Sequence, residues 1–122
     1  MPPGAALEGL VRTDNQGAVQ FAVQPINLDN PGDALQFDLK MNTHSVDLSM
    51  NIASLATLVT DTGLSVQATS WEAPGGGHHV EGKLTFPATL NGEPFLKGAK
   101  QLTLTIKNVD ASTRLFTWNL NK

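Results

Sequence analysis

The chain has 122 residues and a mass of 13.0 kDa, the size of one domain that can bury a core without disulfides. Its net charge of −3, with only eight Lys and Arg, argues against nucleic-acid binding, because phosphate contacts need a basic surface. Cysteine is absent, which excludes disulfides, thiolate metal ligands and cysteine nucleophiles, and no apolar stretch is long enough to span a bilayer.

Apolar and polar residues alternate along almost the whole chain, which is the period of half-buried strands. Turn-rich segments separate the alternating stretches, and the spacing of Ile52 and Leu55 fits a single helical turn. In chain order, the predicted strands are residues 7–13, 19–24, 35–41, 56–60, 64–71, 80–86, 102–106 and 116–120.

Short amphipathic strands at regular spacing favour an antiparallel sandwich over a parallel α/β fold. We therefore predict one all-β domain over residues 1–122, an immunoglobulin-like Greek-key sandwich of about seven to eight strands. A jelly roll or a small barrel is the alternative.

The three histidines of the chain fall in two unusual stretches, NTHSVDLSM at residues 42–50 and WEAPGGGHHVEGKLTF at residues 71–86. Consecutive antiparallel strands alternate in direction, so each connection can be assigned to one end of the sandwich. This assignment puts the connections 42–51 and 72–79 at the same end, together with the turns 14–17 and 108–112. We expect His44, His78 and His79 to meet there.

Side-chain parity separates the three histidines. His44 and His79 share the parity of the outward residues of their strands, whereas His78 shares the inward parity of Val80 and Leu84. The predicted metal pair is therefore His44 with one of the other two.

Imidazole is a common protein ligand for copper and zinc, and two neighbouring side chains extend the possible donor set. The Met50 thioether would suit copper, and the Asp47 carboxylate would suit zinc. The predicted metal ligands are thus His44, His79, His78, Asp47 and Met50, with copper first and zinc second. The alternative is that these polar side chains only satisfy backbone groups and build the loops.

The sequence does not mark out a catalytic group. The acidic residues are scattered, with no pair placed for acid–base work, and any Ser-His-Asp triad would be an arbitrary choice. We predict that the chain is not an enzyme, and a hydrolase that uses one histidine as a base ranks below the binding functions.

The motifs THSVDL, W…GGHHVEGKLTFP and RLFTWNL together resemble a small secreted or membrane-anchored bacterial β-sandwich domain of uncharacterised function, over about residues 18–120. The resemblance implies an extracytoplasmic location and carries over His44, Asp47, Trp71, His78 and His79 without assigning them a role. The opening MPPGAALEGL lacks the basic start and apolar centre of a signal peptide, so such a location would need a signal that these residues do not contain.

Two functions follow as hypotheses. The first is an extracytoplasmic module that binds a transition metal at the histidine-bearing end of the sandwich. The second is an adhesion or assembly module of a surface protein, in which an exposed sheet edge pairs with a partner strand and no metal is bound.

Overall fold

The computed structural model describes residues 11–28, 32–73 and 77–120. They form eleven β-strands and one short 3-10 helix, and every strand pairing is antiparallel. In chain order the strands are β1 Arg12–Asp14, β2 Val19–Pro25, β3 Ala34–Thr43, β4 Ala56–Thr60, β5 Ser65–Gln67, β6 Ser70–Glu72, β7 His79–Pro87, β8 Thr89–Leu90, β9 Glu93–Pro94, β10 Gln101–Lys107 and β11 Thr113–Asn119.

Two sheets make the sandwich. The first sheet has the strand order β1-β2-β3-β7-β6 and the second has the order β11-β10-β4-β5, while β8 and β9 form a separate hairpin. The run β2-β3-β7-β6 corresponds to the ABED sheet of the immunoglobulin fold, and β11-β10-β4 corresponds to its GFC sheet. The predicted immunoglobulin-like Greek-key sandwich is confirmed, with β1 and β5 as added edge strands.

The core lies between the two sheets and is built around aromatic side chains. Phe37 lies at the centre, with its ring centroid 5.6 Å from that of Phe86 and 5.4 Å from that of Trp118. Phe21 and Phe116 form a second pair at 6.1 Å. All five rings are buried, so the alternation of apolar residues that predicted the strands also identifies the inward faces.

The single strand predicted over residues 64–71 is wrong. The chain leaves the second sheet after β5 and joins the first sheet as β6. Ala68 N donates to Ala56 O of the second sheet (3.1 Å), and the next amide, Thr69 N, donates to Thr85 O of the first (2.8 Å). The change of apolar parity between Val66 and Trp71 is the sequence signature of this switch.

The first predicted strand and the segment 87–100 also differ from the prediction. Residues 7–10 of the first predicted strand lie outside the described residues, and β1 runs on to Asp14, into the predicted turn. Segment 87–100, predicted as a loop, contains the hairpin β8–β9, closed by Asn91-Gly92, and the buried Phe95. The predicted helical turn is confirmed as the 3-10 helix Ile52–Leu55, in which Ala53 N donates to the capping Asn51 Oδ1 (3.1 Å).

Across the described ranges, no helix is long and apolar enough to cross a membrane.

Candidate functional site

The two histidine stretches lie side by side in the structure. Strands β3 and β7 are paired neighbours, and Asn42 is directly opposite His79 at the end of this ladder. Beyond the ladder, Thr43 N donates to His78 O (2.9 Å) and Leu48 N donates to Gly77 O (2.9 Å). The strand switch between β5 and β6 keeps the direction of the chain, which is why the end assigned from the sequence agrees with the structure.

His44 and His79 line one surface pocket of about 540 Å³ on the outer side of the first sheet. Both imidazoles are exposed, as their parity predicts. The other lining groups are uncharged: they are amides, hydroxyls and backbone, from residues Asn15, Gly17, Ala18, Gln20, Asn42, Thr43 and Ser45. Two histidines, one immediately after β3 and one at the start of β7, therefore line the same cleft.

His78 has a different position from its neighbour. Its carbonyl accepts the bond from Thr43 N, it is exposed, and it does not line the pocket. The chain bends at residues 77 and 78 before β7 begins at His79, so the inward parity predicted for His78 does not bury it.

Asp47 and Met50, the other two predicted ligands, also lie away from the pocket lining. Asp47 Oδ1 accepts from Gly77 N (3.3 Å) and Oδ2 accepts from Ser49 Oγ (3.0 Å), so this carboxylate ties Gly77 to segment 43–50. Met50 is half-buried and packs against the core. Within the described part of the chain, no group of three or more His, Cys, Asp or Glu is close enough together to hold a metal ion.

Sequence reasoning placed the turn 14–17 at the correct end but missed that it forms a wall of the pocket. This wall is the segment Asn15–Ala18, between β1 and β2. Asp110 Oδ2, from the turn between β10 and β11, accepts a short hydrogen bond from Ala18 N (2.6 Å). Gly17 lies so close to Asp110 that a Cβ atom there would overlap its carboxylate and its carbonyl oxygen.

Arg114 is a fully buried cation behind this wall, and sequence reasoning missed it as well. Its guanidinium donates to the carbonyl oxygens of Val109 (2.7 Å), Gln16 (2.8 Å), Val19 (3.0 Å) and Asp14 (3.3 Å). It also lies 4.5 Å from the centre of the Phe21 ring and 3.5 Å from Asp14 Oδ1. The available signal was parity, since Arg114 shares the inward register of Phe116 and Trp118.

Burial lowers the pKa of Arg114, because the charged form loses its water, while the carboxylates of Asp14 and Asp110 act in the opposite direction. An arginine titrates so far above neutral pH that the group stays charged. A permanent positive charge therefore sits beneath the turn that forms the pocket wall.

In comparisons with known proteins, no family model, no curated protein and no solved structure matches this chain. The fold defines the class of protein, an immunoglobulin-like β-sandwich, and the pocket at the histidine-bearing end is the basis for its functional interpretation.

Proposed function

We propose that this chain is a non-catalytic, extracytoplasmic binding module that takes up a transition metal through His44 and His79. The observation that carries the proposal is that two histidines, at the adjacent ends of β3 and β7, line one pocket. Imidazole nitrogen is a favoured ligand of copper and zinc, and the paired backbones of β3 and β7 hold the two strands in fixed register. The extracytoplasmic location rests on the sequence resemblance.

Copper is the first choice and zinc the second. Two imidazoles leave further coordination positions, which water or the amide oxygens of Asn15, Gln20 and Asn42 can occupy, and mixed nitrogen and oxygen donors suit Cu(II). Asp47 and Met50 are no longer proposed as ligands, because their side chains are engaged in the loop and against the core. His78 is not proposed either, because it lies outside the pocket lining.

The test is a calorimetric titration of metal-stripped protein with Cu(II), Cu(I) and Zn(II). We expect one equivalent to bind with a dissociation constant of about 1 μM or tighter, and His44→Ala and His79→Ala each to weaken binding at least about tenfold. His78→Ala is the matched control, because it removes the adjacent imidazole outside the pocket. The proposal would be contradicted if His44→Ala and His79→Ala bound metal as tightly as the wild type, or if His78→Ala weakened binding.

A second candidate function is assembly, and the outer face of the second sheet favours it. Within the described strands β4, β5, β10 and β11, only one outward side chain, Lys107, is charged. Leu115 is 61% exposed and Val59 is 37% exposed on this face. The outer face of the first sheet, in contrast, carries Asp38, Lys40, Glu72, Glu81 and Lys83.

The face is a better docking surface than the sheet edges predicted from the sequence. Edge strands β5 and β6 have only three residues each. On the outer edge of β11, side chains already bond two backbone carbonyls: Arg12 Nε donates to Thr117 O (2.9 Å) and Gln16 Nε2 donates to Thr113 O (3.0 Å). Two copies that met through these faces, each with one charged side chain, would keep their highly charged faces apart. The occupant of this face would then be a second copy of the chain.

Sedimentation velocity tests this candidate. If it is correct, the protein dimerises at concentrations of roughly 0.1–1 mM, as expected for an interface at the small end of the size range. Leu115→Lys should abolish the dimer, while Gln24→Lys on the first sheet should not. A monomer at the highest concentration, or equal behaviour of the two variants, would exclude assembly through this face.

A further inference from the structure

We propose that Asp110 and Arg114 are positioning residues that fix the wall Asn15–Ala18 of the pocket from the opposite sheet. Both residues belong to the β10–β11 turn and the start of β11, whereas the histidines belong to the first sheet. That the wall shapes a metal site rests on the proposed function. That the two residues hold the wall is an independent claim about the structure.

The first contact lies at the C-terminal end of the wall. Asp110 Oδ2 accepts from Ala18 N at 2.6 Å, and hydrogen bonds to an ionised carboxylate are shorter and stronger than neutral ones. Gly17 has a φ of +62° and packs directly against Asp110, so the wall can approach the turn only because this residue has no side chain. The turn itself is also specialised, with Asn108 at φ +63° and Asp110 at φ +52°.

The second contact is made by the buried guanidinium of Arg114, on the core side of the wall. The Arg114 guanidinium donates to the carbonyl of Asp14, immediately before the wall, to that of Gln16, within the wall, and to that of Val19, immediately after it. The same group binds Val109 O in its own turn through Nε (3.1 Å) and Nη2 (2.7 Å). One buried cation therefore joins the backbone on both sides of the wall to the turn that contains Asp110.

The joint effect is a preorganised pocket. Asn15, Gly17 and Ala18 line the cleft opposite the strand ends that bear His44 and His79. Without the two contacts, the turn would have to be ordered each time a ligand binds, and that ordering would reduce affinity. Asp110 and Arg114 are not among the residues that line the pocket, so they act through the wall.

The decisive comparison is Asp110→Gly against Asp61→Gly. The substitution removes the carboxylate. Because glycine adopts a positive φ without strain, the backbone of the turn can keep its conformation at residue 110. Asp61 is a matched control at the opposite end of the sandwich, because its Oδ1 also accepts backbone amides, from Lys100 (2.9 Å) and Gln101 (3.3 Å). Both variants lose a carboxylate–backbone contact, and only one of the two contacts adjoins the pocket.

Amide hydrogen exchange of the metal-free protein is the first readout. We expect Asp110→Gly to speed exchange at Ala18 by roughly tenfold or more, with smaller changes at Asn15 and Gly17, and Asp61→Gly to act only at Lys100 and Gln101. Asp110→Asn, whose amide oxygen can still accept from Ala18 N, should restore most of the protection. If the amide of Ala18 exchanged at the same rate in Asp110→Gly as in the wild type, the proposal would be overturned even if the protein binds metal tightly.

Cu(II) affinity is the second readout, and it separates the two claims. Asp110→Gly should weaken binding by about tenfold, whereas Asp61→Gly, with a comparable loss of thermal stability, should leave it within about twofold. If the wild type binds Cu(II) and both variants bind it equally well, the positioning role is wrong and the metal site stands. If the wild type binds no metal, the proposed function fails, and the exchange pattern alone decides whether Asp110 fixes the wall.

Discussion

At the scale of single residues, three aspartates accept hydrogen bonds from backbone amides at the ends of the sandwich. Asp47 holds Gly77, Asp110 holds the pocket wall, and Asp61 holds the start of β10. These bonds satisfy amides at strand ends that have no ladder partner. The histidines His44 and His79 differ from this group, because their imidazoles are exposed at a pocket instead of being bonded to the loops around them.

The pH dependence of stability follows from Asp61. The hydrogen bond from Lys100 N, with a smaller contribution from Gln101 N, lowers the pKa of its carboxyl below the ordinary value of 3.8. Because the pKa of Asp61 is lower in the folded protein than in the unfolded chain, the ionised carboxylate stabilises the fold. This stabilisation is fully present above the pKa of the unfolded chain, and it is lost as the pH falls through the pKa of the folded protein. We expect the melting temperature to fall below about pH 4, and Asp61→Asn to flatten that decline.

Thermal melts between about pH 5 and pH 2 check this prediction. Glu81→Gln is the control, since Glu81 forms only an exposed ion pair with Lys40 at 4.0 Å and bonds no backbone amide that the structure records. A decline in Asp61→Asn as steep as in the wild type and in Glu81→Gln would show that Asp61 is not the group responsible.

At the residue scale, parity predicted the orientation of His44 and His79 but did not lead to Arg114. An arginine in the inward register of a strand conflicts with the rule that charges face solvent, and the sequence does not show which carbonyls would compensate its burial. Those carbonyls come from β1, β2 and the turns, up to 100 residues away along the chain. Only the assembled fold supplies them.

At the scale of elements, the switch from β5 to β6 closes one side of the sandwich and brings Trp71 over Gly82. Trp71 is opposite Leu84 in the register of β6 and β7, and it packs against the core as a partly buried ring. A Cβ atom on Gly82 would lie 2.7 Å from Trp71 Cη2, 2.6 Å from Ala73 Cβ and 2.6 Å from Glu72 O. Trp71 therefore occupies the space that a side chain at residue 82 would need.

Substitution of Gly82 tests this packing. Gly82→Ala should lower the free energy of unfolding by about 1–3 kcal/mol, because the added methyl forces Trp71 and the β6 backbone apart. Urea titration followed by tryptophan fluorescence measures both the stability and the environment of Trp71. Gly32→Ala is the control, since a Cβ there meets nothing within 4 Å, and it should leave stability nearly unchanged. Equal effects of the two substitutions would contradict the packing argument.

Element prediction succeeded where alternation is strict and failed where strands are short. β3 and β7 have long alternating faces, so their inward residues follow from the sequence, and each strand extends one or two residues beyond its predicted limits. β5, β6, β8 and β9 have two or three residues each, too few for a period to be recognised. Their positions are fixed by hydrogen bonds to neighbouring strands, which the local sequence does not specify.

At the scale of the whole molecule, the sandwich has two chemically different faces and one specialised end. The first sheet carries charges and the histidine pocket, while the second sheet presents threonines with Leu115 and Val59. The link between Arg114 and the pocket wall crosses from one sheet to the other. Strand direction alone predicted which connections share an end, but the pocket depends on the β1–β2 turn, whose position is set by that link.

A Zn(II) titration of ¹⁵N-labelled wild-type protein, followed through the imidazole nitrogens of the three histidines, shows directly whether the pocket binds metal. Zinc is diamagnetic, so every imidazole signal remains observable. We expect the signals of His44 and His79 to shift together and to saturate at about one equivalent, while His78 keeps its metal-free signals. A shift of His78 alone, or no saturable shift of His44 and His79, would contradict the assignment of the pocket as a two-histidine metal site.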